Sequence, residues 1–519
     1  MSGTSEVAGP GRLRLGERRR SGILLHPSSL PGPGGIGDIG GAERFLDFLA
    51  AAGQTVWQVL PLVPTGYGDS PYQGLGAFAG NPLLVSLEAL ASEGWLAGAE
   101  LAGGPKGGGP VDYGAVIPWK SAALAAAAAS FERRAPAGRR RALEEFRAGN
   151  ASWLDDFALF CALKQRHRGE PWWRWGRPLA TRRPEALAAA RRELDEAVRA
   201  CAFAQFAFAE QWSGLRARCR ERGVLLLGDL PLYPALDSAE VWARPHLFHL
   251  DGEGAPTVVA GVPPDYFSAT GQLWGSPIYR WEEMAREVHA FFVERVRAGL
   301  AQVDALRLDH FRGFEAYWAV PAGAATAEAG SWRPGPGAPL FEALRSALGD
   351  LPLVAENLGV ITPAVESLRR GLALPGMAIL QFAFGEDPQA PSFLPHNYER
   401  DLVAYTGTHD NDTVLGWWAS EGGDSTRTPE SVRREKDRAR RYLATHGREM
   451  NWVMIRAVLA SVASTAVAPL QDVLGLGSEA RMNRPSSPSG NWRWRLCAGD
   501  LAPGLAARLG ELAGLYGRA

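Results

Sequence analysis

Leu225-Leu-Leu-Gly-Asp229, Ala305-Leu-Arg-Leu-Asp309, Leu353-Val-Ala-Glu356 and Val403-Ala-Tyr-Thr-Gly-Thr-His-Asp410 are four apolar stretches that each end in a carboxylate. Continuous apolar runs of this kind are typical of strands that are buried on both faces. An acid at the end of such a run is costly to bury unless it has a partner or a chemical role. In a parallel barrel, the C-terminal ends of the strands form the rim where active sites lie. The pattern therefore predicts a barrel enzyme whose chemistry depends on carboxylates.

Eight strand candidates occur in the chain, which is the number that a (β/α)8 barrel requires. Helix-like stretches separate most of them, as a parallel sheet demands. We therefore predict the α/β class and a (β/α)8 TIM barrel with large, mostly helical insertions and no C-terminal β-sandwich domain. The candidates are residues 23–25, 56–60, 224–230, 305–311, 353–356, 377–382, 402–406 and 465–470.

The 519 residues are about twice the length of a typical ~250-residue barrel. Residues 1–20 are small, polar and basic and are expected to form a disordered leader, which leaves 21–519 as the catalytic barrel. The Ala-rich and amphipathic runs within about 70–220 predict a helical insertion subdomain. A stretch rich in Pro, Gly and aromatic residues, about 235–280, is expected to form a lid or substrate loop.

Composition excludes several classes of partner. The net charge of −1 gives no electrostatic reason to expect nucleic acid or an anionic membrane, and no stretch approaches the ~20 apolar residues of a membrane span. The four cysteines are scattered without C-x-x-C spacing, which argues against a disulfide framework or a zinc site and suits a reducing cytoplasm. We expect a cytoplasmic protein, either a monomer or a weak homo-oligomer.

Arg307 and Asp309 lie on one face of a predicted strand, because side chains alternate along it, while the leucines between them suit the helix layer. A guanidinium beside a carboxylate favours the ionised form and lowers its pKa. An ionised carboxylate is what a nucleophile requires. The alternative is a buried structural ion pair, and the His-Phe-Arg-Gly continuation favours the catalytic interpretation.

Glu356 has apolar neighbours and no basic residue within several positions. Burial without a positive partner raises the pKa of a carboxyl, which suits a general acid. One ionised and one protonated carboxyl that face each other form the arrangement of a retaining glycosidase. For Glu356 alone, an acid at a helix N-terminus is the alternative.

The stretch Gly407-Thr-His-Asp-Asn-Asp412 has three interpretations: a metal site, a hydrogen-bonding site for a polyol substrate, or a capped helix start. The metal site is the weakest, because no other pair of ligands at suitable spacing completes a shell. His409 and Asp410 therefore fit better as hydrogen-bond partners of sugar hydroxyls. The chain also has 18 tryptophans, and those in loops, such as Trp274, Trp332 and Trp492, could stack on sugar rings, although most tryptophans in proteins only pack.

A series of motifs carries a resemblance to one family, in family order from about residue 22 to about 495. The motifs include Gly22-Ile-Leu-Leu-His-Pro-Ser-Ser-Leu-Pro-Gly-Pro, Pro64-Thr-Gly-Tyr-Gly-Asp-Ser-Pro-Tyr72, Gly228-Asp-Leu-Pro-Leu-Tyr, Gln272-Leu-Trp-Gly275, Arg307-Leu-Asp-His-Phe-Arg-Gly313, Ala355-Glu-Asn-Leu-Gly359 and Gly407-Thr-His-Asp-Asn-Asp412. The chain resembles the 4-α-glucanotransferases called amylomaltases or disproportionating enzymes, glycoside hydrolase family 77. The resemblance implies transfer of an α-1,4-glucan segment to the 4-hydroxyl of glucose or of another glucan, without a metal or an organic cofactor.

The resemblance also implies roles for individual residues. Asp309 looks like the nucleophile, Glu356 like the acid and base, and Asp410 like the third carboxylate, which holds a distorted sugar ring. Arg307 would support Asp309. The remaining residues implied in substrate binding are Asp229, His310 and His409 at the same ring, Ser70, Tyr72, Gln272, Trp274 and Asn483 along the groove, and Tyr67 at a second glucan-binding site.

Three alternatives stay open at this point. An amylase-like α-1,4-glucan hydrolase could use the same three acids, although the sequence lacks a calcium-loop pattern and a terminal β-sandwich. A catalytically idle glucan-binding protein is opposed by the presence of all three carboxylates. A metal-dependent barrel hydrolase is the most distant alternative.

Overall fold

The computed structural model describes residues 18–106, 108–264, 268–422, 427–485, 487–497 and 499–519. Eight parallel strands form one sheet in the order β10-β11-β12-β1-β2-β3-β6-β9. The two end strands are also neighbours, because the Ala355 N–H donates to the Pro375 carbonyl at 2.8 Å. The sheet is therefore a nearly closed barrel, and the predicted fold class is confirmed. Its strands are β1 (Arg20–Leu24), β2 (Val56–Gln58), β3 (Leu225–Leu230), β6 (Ala305–Leu308), β9 (Leu353–Ala355), β10 (Gly376–Ile379), β11 (Leu402–Tyr405) and β12 (Thr465–Pro469).

Helices surround the barrel and form the insertions. They are α1 (Ala42–Ala51), α2 (Leu87–Ser92), α3 (Gly98–Ala102), α4 (Tyr113–Arg134), α5 (Ala137–Gly149), α6 (Leu154–Arg166), α7 (Arg177–Ala180), α8 (Pro184–Glu193), α9 (Asp195–Glu221), α10 (Ala239–Ala243), α11 (Trp281–Arg286), α12 (Ala290–Gln302), α13 (Gly337–Leu348), α14 (Pro363–Gly371), α15 (Val414–Ala419), α16 (Pro429–Tyr442), α17 (Met450–Ala460), α18 (Leu470–Leu474) and α19 (Pro503–Leu515).

The helices follow sequence signals that the chain carries locally. Helix α4 starts where the Asp112 carboxylate accepts the Ala115 N–H at 3.3 Å, and its Ala-rich body suits a helix interior. Thr362 caps α14 with a Pro at the first helical position. Strand β3 is buried at every position because the barrel interior covers one face and helices cover the other.

The insertion between β2 and β3 contains α2 to α9, and no strand occurs in its described residues. The helical content predicted for about 70–220 is present, and its division into a subdomain stays a prediction. The stretch 235–280 differs from a simple loop, because it contains α10 and two strands of a small antiparallel sheet. That sheet has the order β5-β4-β7-β8, from β4 (Val258–Val262), β5 (Gln272–Pro277), β7 (Ala316–Pro321) and β8 (Ser331–Pro334).

The leader was predicted to extend to residue 20, and this boundary is wrong. Strand β1 begins at Arg20, which is buried and pairs with Thr465 of β12. The apolar pattern of the strand starts only at Ile23, so the sequence could not mark its polar first residues. Residues 1–17 lie outside the described residues. Among the described helices, none is both long and apolar enough to cross a membrane.

Candidate active site

A cavity of about 450 Å³ opens at the C-terminal ends of the barrel strands, between the barrel and the small antiparallel sheet. All three predicted catalytic carboxylates, Asp309, Glu356 and Asp410, line it. They follow β6, β9 and β11, as their positions at the ends of apolar runs predicted. The cavity is also lined by Tyr67, Ser70, Tyr72, Gln272, Trp274, Arg307, His310, His409 and Asn483.

Arg307 holds Asp309 from inside the barrel. Its Nη1 and Nη2 atoms donate to the same oxygen of Asp309, Oδ1, at 3.0 and 2.9 Å. Nη1 also donates to both oxygens of Asp229, at 3.2 and 3.0 Å. Among the described residues, none donates to Oδ2 of Asp309. One oxygen of this carboxylate is therefore fixed, and the other is available for chemistry.

Asp229 does not line the cavity. Its side chain is fully buried, and the Tyr72 hydroxyl donates to Asp229 Oδ2 at 2.6 Å. Together with Arg307, this hydrogen bond uses both of its oxygens. The structure thus places Asp229 behind the site, where it orients Arg307 and Tyr72, rather than at the sugar ring where the resemblance placed it.

Arg307 is the partner expected for Asp309, but burial opposes its effect on the pKa of this carboxyl. Burial is the largest influence and, with the nearby charges of Asp229 and Asp410, raises the pKa of Asp309 to about 7, although Arg307 acts in the opposite direction. The sequence showed the Arg307 partner but not Asp229, which comes from a neighbouring strand and shares that guanidinium.

Glu356 has the raised pKa that the sequence predicted. Burial raises the pKa of Glu356 well above its usual range, and the charge of Asp309 adds to this effect. The His310 N–H donates to Glu356 Oε2 at 2.8 Å. His310 adopts a left-handed backbone conformation, φ 52°, which a residue other than glycine rarely takes. This local strain points the His310 amide at the carboxylate.

Asp410 is more exposed than the other two acids and is held by hydrogen bonds. Asn483 Nδ2 donates to Asp410 Oδ1 at 2.6 Å, and His409 Nε2 lies 3.4 Å from the same oxygen. The Arg481 guanidinium donates to the Asp410 carbonyl at 2.7 Å. The fold therefore brings Asp410 into contact with Arg481 and Asn483, which are more than seventy positions away in the sequence.

Aromatic rings form one wall beside Asp410. Tyr72 stacks on His409, with ring centres 5.1 Å apart, and Trp492 lies 5.8 Å from Tyr72. Burial is the main cause that lowers the pKa of His409, so its imidazole is neutral at pH 7. Burial, followed by the charge of Arg312, lowers the pKa of His310 to about 4, so it too is neutral.

The other predicted residues lie along the walls. Ser70 caps the 3-10 turn that carries Tyr72, and its hydroxyl accepts the Tyr72 N–H at 3.2 Å. On the opposite wall, Trp274 Nε1 donates to Gln272 Oε1 at 3.2 Å. Tyr67 is at the outer rim with 79% of its surface exposed. Its predicted role in a second glucan-binding site stays a prediction.

Comparison with known proteins shows the family of the chain. The family model for 4-alpha-glucanotransferase, glycoside hydrolase family 77, matches residues 25–499. The chain belongs to this family. A 4-alpha-glucanotransferase of Thermus thermophilus is 51% identical over 504 residues, which cover 95% of this chain and 98% of the relative. The relative from Synechocystis is 47% identical and covers 97% of this chain and 98% of its own length.

A solved structure of the family has the same fold. The amylomaltase from Streptococcus agalactiae in complex with acarbose superimposes with a TM-score of 0.91 at 36% identity, covering 97% of this chain and 100% of that one. The chain is therefore a glucanotransferase by family, and its cavity is at the strand ends where its three acids meet.

Several residues of the glucanotransferase cavity escaped sequence reasoning. Arg312 and Val360 line it and were not singled out, whereas Trp332, which contacts Arg312, is one of the tryptophans expected to stack on sugar rings. Arg312 lies inside the quoted Arg307–Gly313 motif, but the position of its partner on a small edge strand gave no signal. Among the described residues, no group of three or more His, Cys, Asp or Glu could hold a metal ion.

Proposed function

We propose that this glucanotransferase moves α-1,4-glucan segments by a retaining double displacement, with Asp309 as nucleophile and Glu356 as acid and base. The observation that carries the proposal is the asymmetric hold on Asp309: Arg307 donates twice to Oδ1, while Oδ2 has no donor among the described residues. A second carboxyl with a strongly raised pKa lines the same cavity.

In the first step, ionised Asp309 attacks the anomeric carbon through Oδ2. The C1–Oδ2 bond forms as the glycosidic C1–O bond breaks, and Glu356 gives its proton to the departing oxygen. The leaving glucan has a free 4-hydroxyl, and a covalent β-glucosyl ester remains on Asp309. Formation of this ester splits one difficult substitution into two easier ones.

In the second step, the 4-hydroxyl of an acceptor glucan or glucose attacks C1. Glu356, now ionised, takes the hydroxyl proton as the new glycosidic bond forms and the bond to Asp309 breaks. The His310 N–H at 2.8 Å from Oε2 supports the ionised form between the two steps. Glu356 thus regains the proton that it gave up in the first step, and the two inversions at C1 retain the α configuration.

Asp410, with His409 and Asn483, is placed to hold hydroxyls of the reacting ring. Asn483 and His409 approach Oδ1 of Asp410, which leaves Oδ2 as an acceptor for the sugar. The stacked rings of Tyr72 and His409 offer an apolar surface to the same unit. The acarbose bound to the amylomaltase of similar fold is consistent with a saccharide in this cavity.

Hydrolysis of the same bond is the second candidate, since water could resolve the ester in place of a sugar. Each 1.4 kcal/mol of preferential acceptor binding changes that competition about tenfold. The tryptophans that line the cavity, Trp274 and Trp332, supply apolar surface on which an acceptor can stack. This surface favours transfer over an open, amylase-like hydrolysis.

The overall reaction is tested with maltotriose as the sole substrate. We expect glucose together with a ladder of longer maltooligosaccharides, while the concentration of reducing ends stays nearly constant. Rising reducing ends without a ladder would replace the transferase with the hydrolase.

The covalent step is tested with Glu356→Gln and α-maltotriosyl fluoride, whose fluoride leaves without a proton. The variant should bind one maltotriosyl group per chain, located on Asp309 by mass spectrometry of peptides, and should release it slowly because the base is missing. Asp309→Asn is the matched control and should remain unmodified. Turnover of the fluoride without any adduct in Glu356→Gln, at an unchanged rate, would contradict the assigned roles.

A further inference from the structure

The small antiparallel sheet presents a tryptophan to the cavity. Trp332 belongs to β8, the edge strand of this sheet, in which all four residues are exposed. It lines the cavity, and 37% of its surface is exposed. A large aromatic side chain in such an exposed position leaves apolar surface in water unless a ligand covers it.

Arg312 holds the indole ring in place. Its guanidinium carbon lies 3.7 Å from the centre of the Trp332 ring, within the range of a cation–π contact. Its Nη1 atom donates to the Val360 carbonyl at 2.6 Å. Only 5% of the Arg312 surface is exposed, so the guanidinium is held in place where it meets the ring at the cavity wall.

A second tryptophan supports the ring from the neighbouring strand. Trp318 pairs with Trp332 across β7 and β8, with ring centres 5.1 Å apart and an angle of 66° between the planes. The Trp318 Nε1 is itself fixed, because it donates to the Ala327 carbonyl at 2.8 Å. Trp332 therefore loses little freedom when it binds a ligand, which improves affinity.

The position of this platform relative to the acids decides which sugar it meets. Arg312 follows Asp309 by three residues, and Val360 follows Glu356 by four, so both loops that hold Trp332 leave the rim at β6 and β9. Asp410 and its partner Asn483 lie on the loops after β11 and β12 instead. Trp332 is thus held from the loops that follow Asp309 and Glu356, whereas Asp410 and Asn483 belong to two other loops of the rim.

We propose that Trp332, held by Arg312, is a stacking platform for a glucose unit of the acceptor glucan, beyond the unit whose 4-hydroxyl reacts. The proposal rests on the proposed transfer function and adds to it a determinant of acceptor length. The apolar face of a glucose ring matches an indole in size, and such stacking requires no charge. Glucose alone is too short to occupy both the reacting position and the platform, whereas maltotriose reaches both.

The test separates acceptor binding from donor binding. With α-maltotriosyl fluoride as donor, the leaving fluoride does not occupy the acceptor side, so glucose and maltotriose can be varied as acceptors. For Trp332→Ala we expect the KM for maltotriose to rise about tenfold, as loss of one aromatic stacking contact implies, while the KM for glucose changes less than about twofold. Trp332→Phe should restore part of the preference.

Trp173 provides a matched control. It is also 37% exposed and also makes an edge contact with a neighbouring tryptophan, Trp172 at 5.7 Å, but it lies on the helical insertion. Trp173→Ala should leave both KM values unchanged. If the KM of Trp332→Ala rose equally for glucose and for maltotriose, or rose for neither, the proposed role of Trp332 would be wrong.

Two further readouts keep the result unambiguous. Trp332→Leu keeps an apolar side chain and replaces Trp332→Ala if that variant does not fold; it should show the same selective rise in KM. The rate of fluoride release without added acceptor should not change in Trp173→Ala, because Trp173 does not line the cavity. If the wild-type protein transferred to neither acceptor, the proposed function itself would fail, which differs from a variant that transfers to both equally.

Discussion

At the scale of single residues, the balance between burial and charge at Asp309 controls the reaction. Burial and two neighbouring carboxylates raise the pKa of Asp309 to about 7, and Arg307 opposes them. Burial raises the pKa of Glu356 well above its usual range. The two groups influence each other, so the macroscopic titrations belong to the pair. The working state has Asp309 ionised and Glu356 protonated.

The first prediction is a bell-shaped dependence of kcat/KM on pH. The nucleophile works ionised, so kcat/KM should rise as the pH increases through about 7, the pKa of Asp309 in the free protein. The acid works protonated, so kcat/KM should fall at higher pH as Glu356 ionises. Initial rates with maltotriose from pH 5 to pH 9 measure both limbs. An acidic limb near the ordinary carboxyl pKa of about 4 would show that Arg307 outweighs burial.

The second prediction concerns Asp229, whose charge helps to raise the pKa of Asp309. In Asp229→Asn this negative charge is absent, and Arg307 is left to Asp309 alone. Both changes favour the ionised nucleophile, so the acidic limb should move to lower pH by about one unit. Tyr72→Phe is the control: it removes the hydrogen bond of 2.6 Å but keeps the charge, so the limb should stay near its original position. A shift in the opposite direction would exclude Asp229 as the cause.

At the scale of elements, a buried carboxylate fixes the loop that carries His409 and Asp410. Asp472 of α18 accepts the Thr406 hydroxyl at 2.6 Å and the Val414 N–H at 2.7 Å. These two residues bracket the loop at the end of β11 and at the start of α15. Burial raises the pKa of Asp472 to about 6. The Asp472 carboxylate therefore positions the loop that carries Asp410. No cationic side chain among the described residues contributes to the shift of its pKa, which burial dominates.

The third prediction compares two substitutions of Asp472. Asp472→Ala leaves the Thr406 hydroxyl and the Val414 N–H unpaired, which should lower the free energy of unfolding by about 2–4 kcal/mol and reduce kcat by loosening the loop. Asp472→Asn keeps an acceptor for Val414 and should retain most of the activity. Urea unfolding and maltotriose kinetics measure both effects; equal losses in the two variants would contradict the argument.

The same variants have a pH signature. The folded pKa of Asp472, about 6, is above its unfolded value, so its favourable contribution is fully present at low pH and is lost as the pH rises through 6. Between pH 5 and pH 8 the wild-type protein should lose about 1 kcal/mol of unfolding free energy that Asp472→Asn does not lose.

The elements also show how far the sequence could predict the fold. All eight barrel strands were predicted from their apolar runs, four of which end in an acid. Two candidates, 305–311 and 377–382, extended too far because the apolar pattern continues into the buried 3-10 helices Phe311–Phe314 and Leu380–Phe384. An apolar run alone does not distinguish these from a strand. The small sheet was missed although its strands are no shorter than those of the barrel, and one of them is exposed throughout and so has no buried pattern.

The sequence also predicted a large part of the site. The acids and most of the cavity lining could be named, because each stands at a strand end or in a specific motif. The contact of Arg312 with Trp332 and the sharing of Arg307 between two acids were not predicted. Both contacts join side chains that are far apart in the sequence. Their proximity depends on the folded structure and has no local sequence signal.

At the scale of the whole molecule, chemistry and stability lie at opposite ends of the barrel. The acids are at the C-terminal ends of the strands, whereas Arg518 closes the other end. This side chain is fully buried and donates to the carbonyl oxygens that precede or begin the strands β1 and β12. Its acceptors are Arg20 at 3.0 Å, Leu459 at 2.6 Å, Ser461 at 2.9 Å, Ala463 at 2.8 Å and Ser464 at 3.4 Å.

The fourth prediction follows from this separation. Arg518→Ala leaves five backbone carbonyls without this donor, and we expect the free energy of unfolding to fall by about 3–5 kcal/mol, as for removal of one partner from a buried charged network. At 25 °C, kcat should remain unchanged, because neither Arg518 nor any of its five acceptors lines the cavity. Arg508→Ala, which breaks an exposed ion pair with Glu449, is the control and should lower the free energy of unfolding far less than Arg518→Ala does. Urea unfolding beside maltotriose kinetics separates the two quantities. A loss of kcat in Arg518→Ala under conditions where the chain is folded would mean that the two ends of the barrel are coupled.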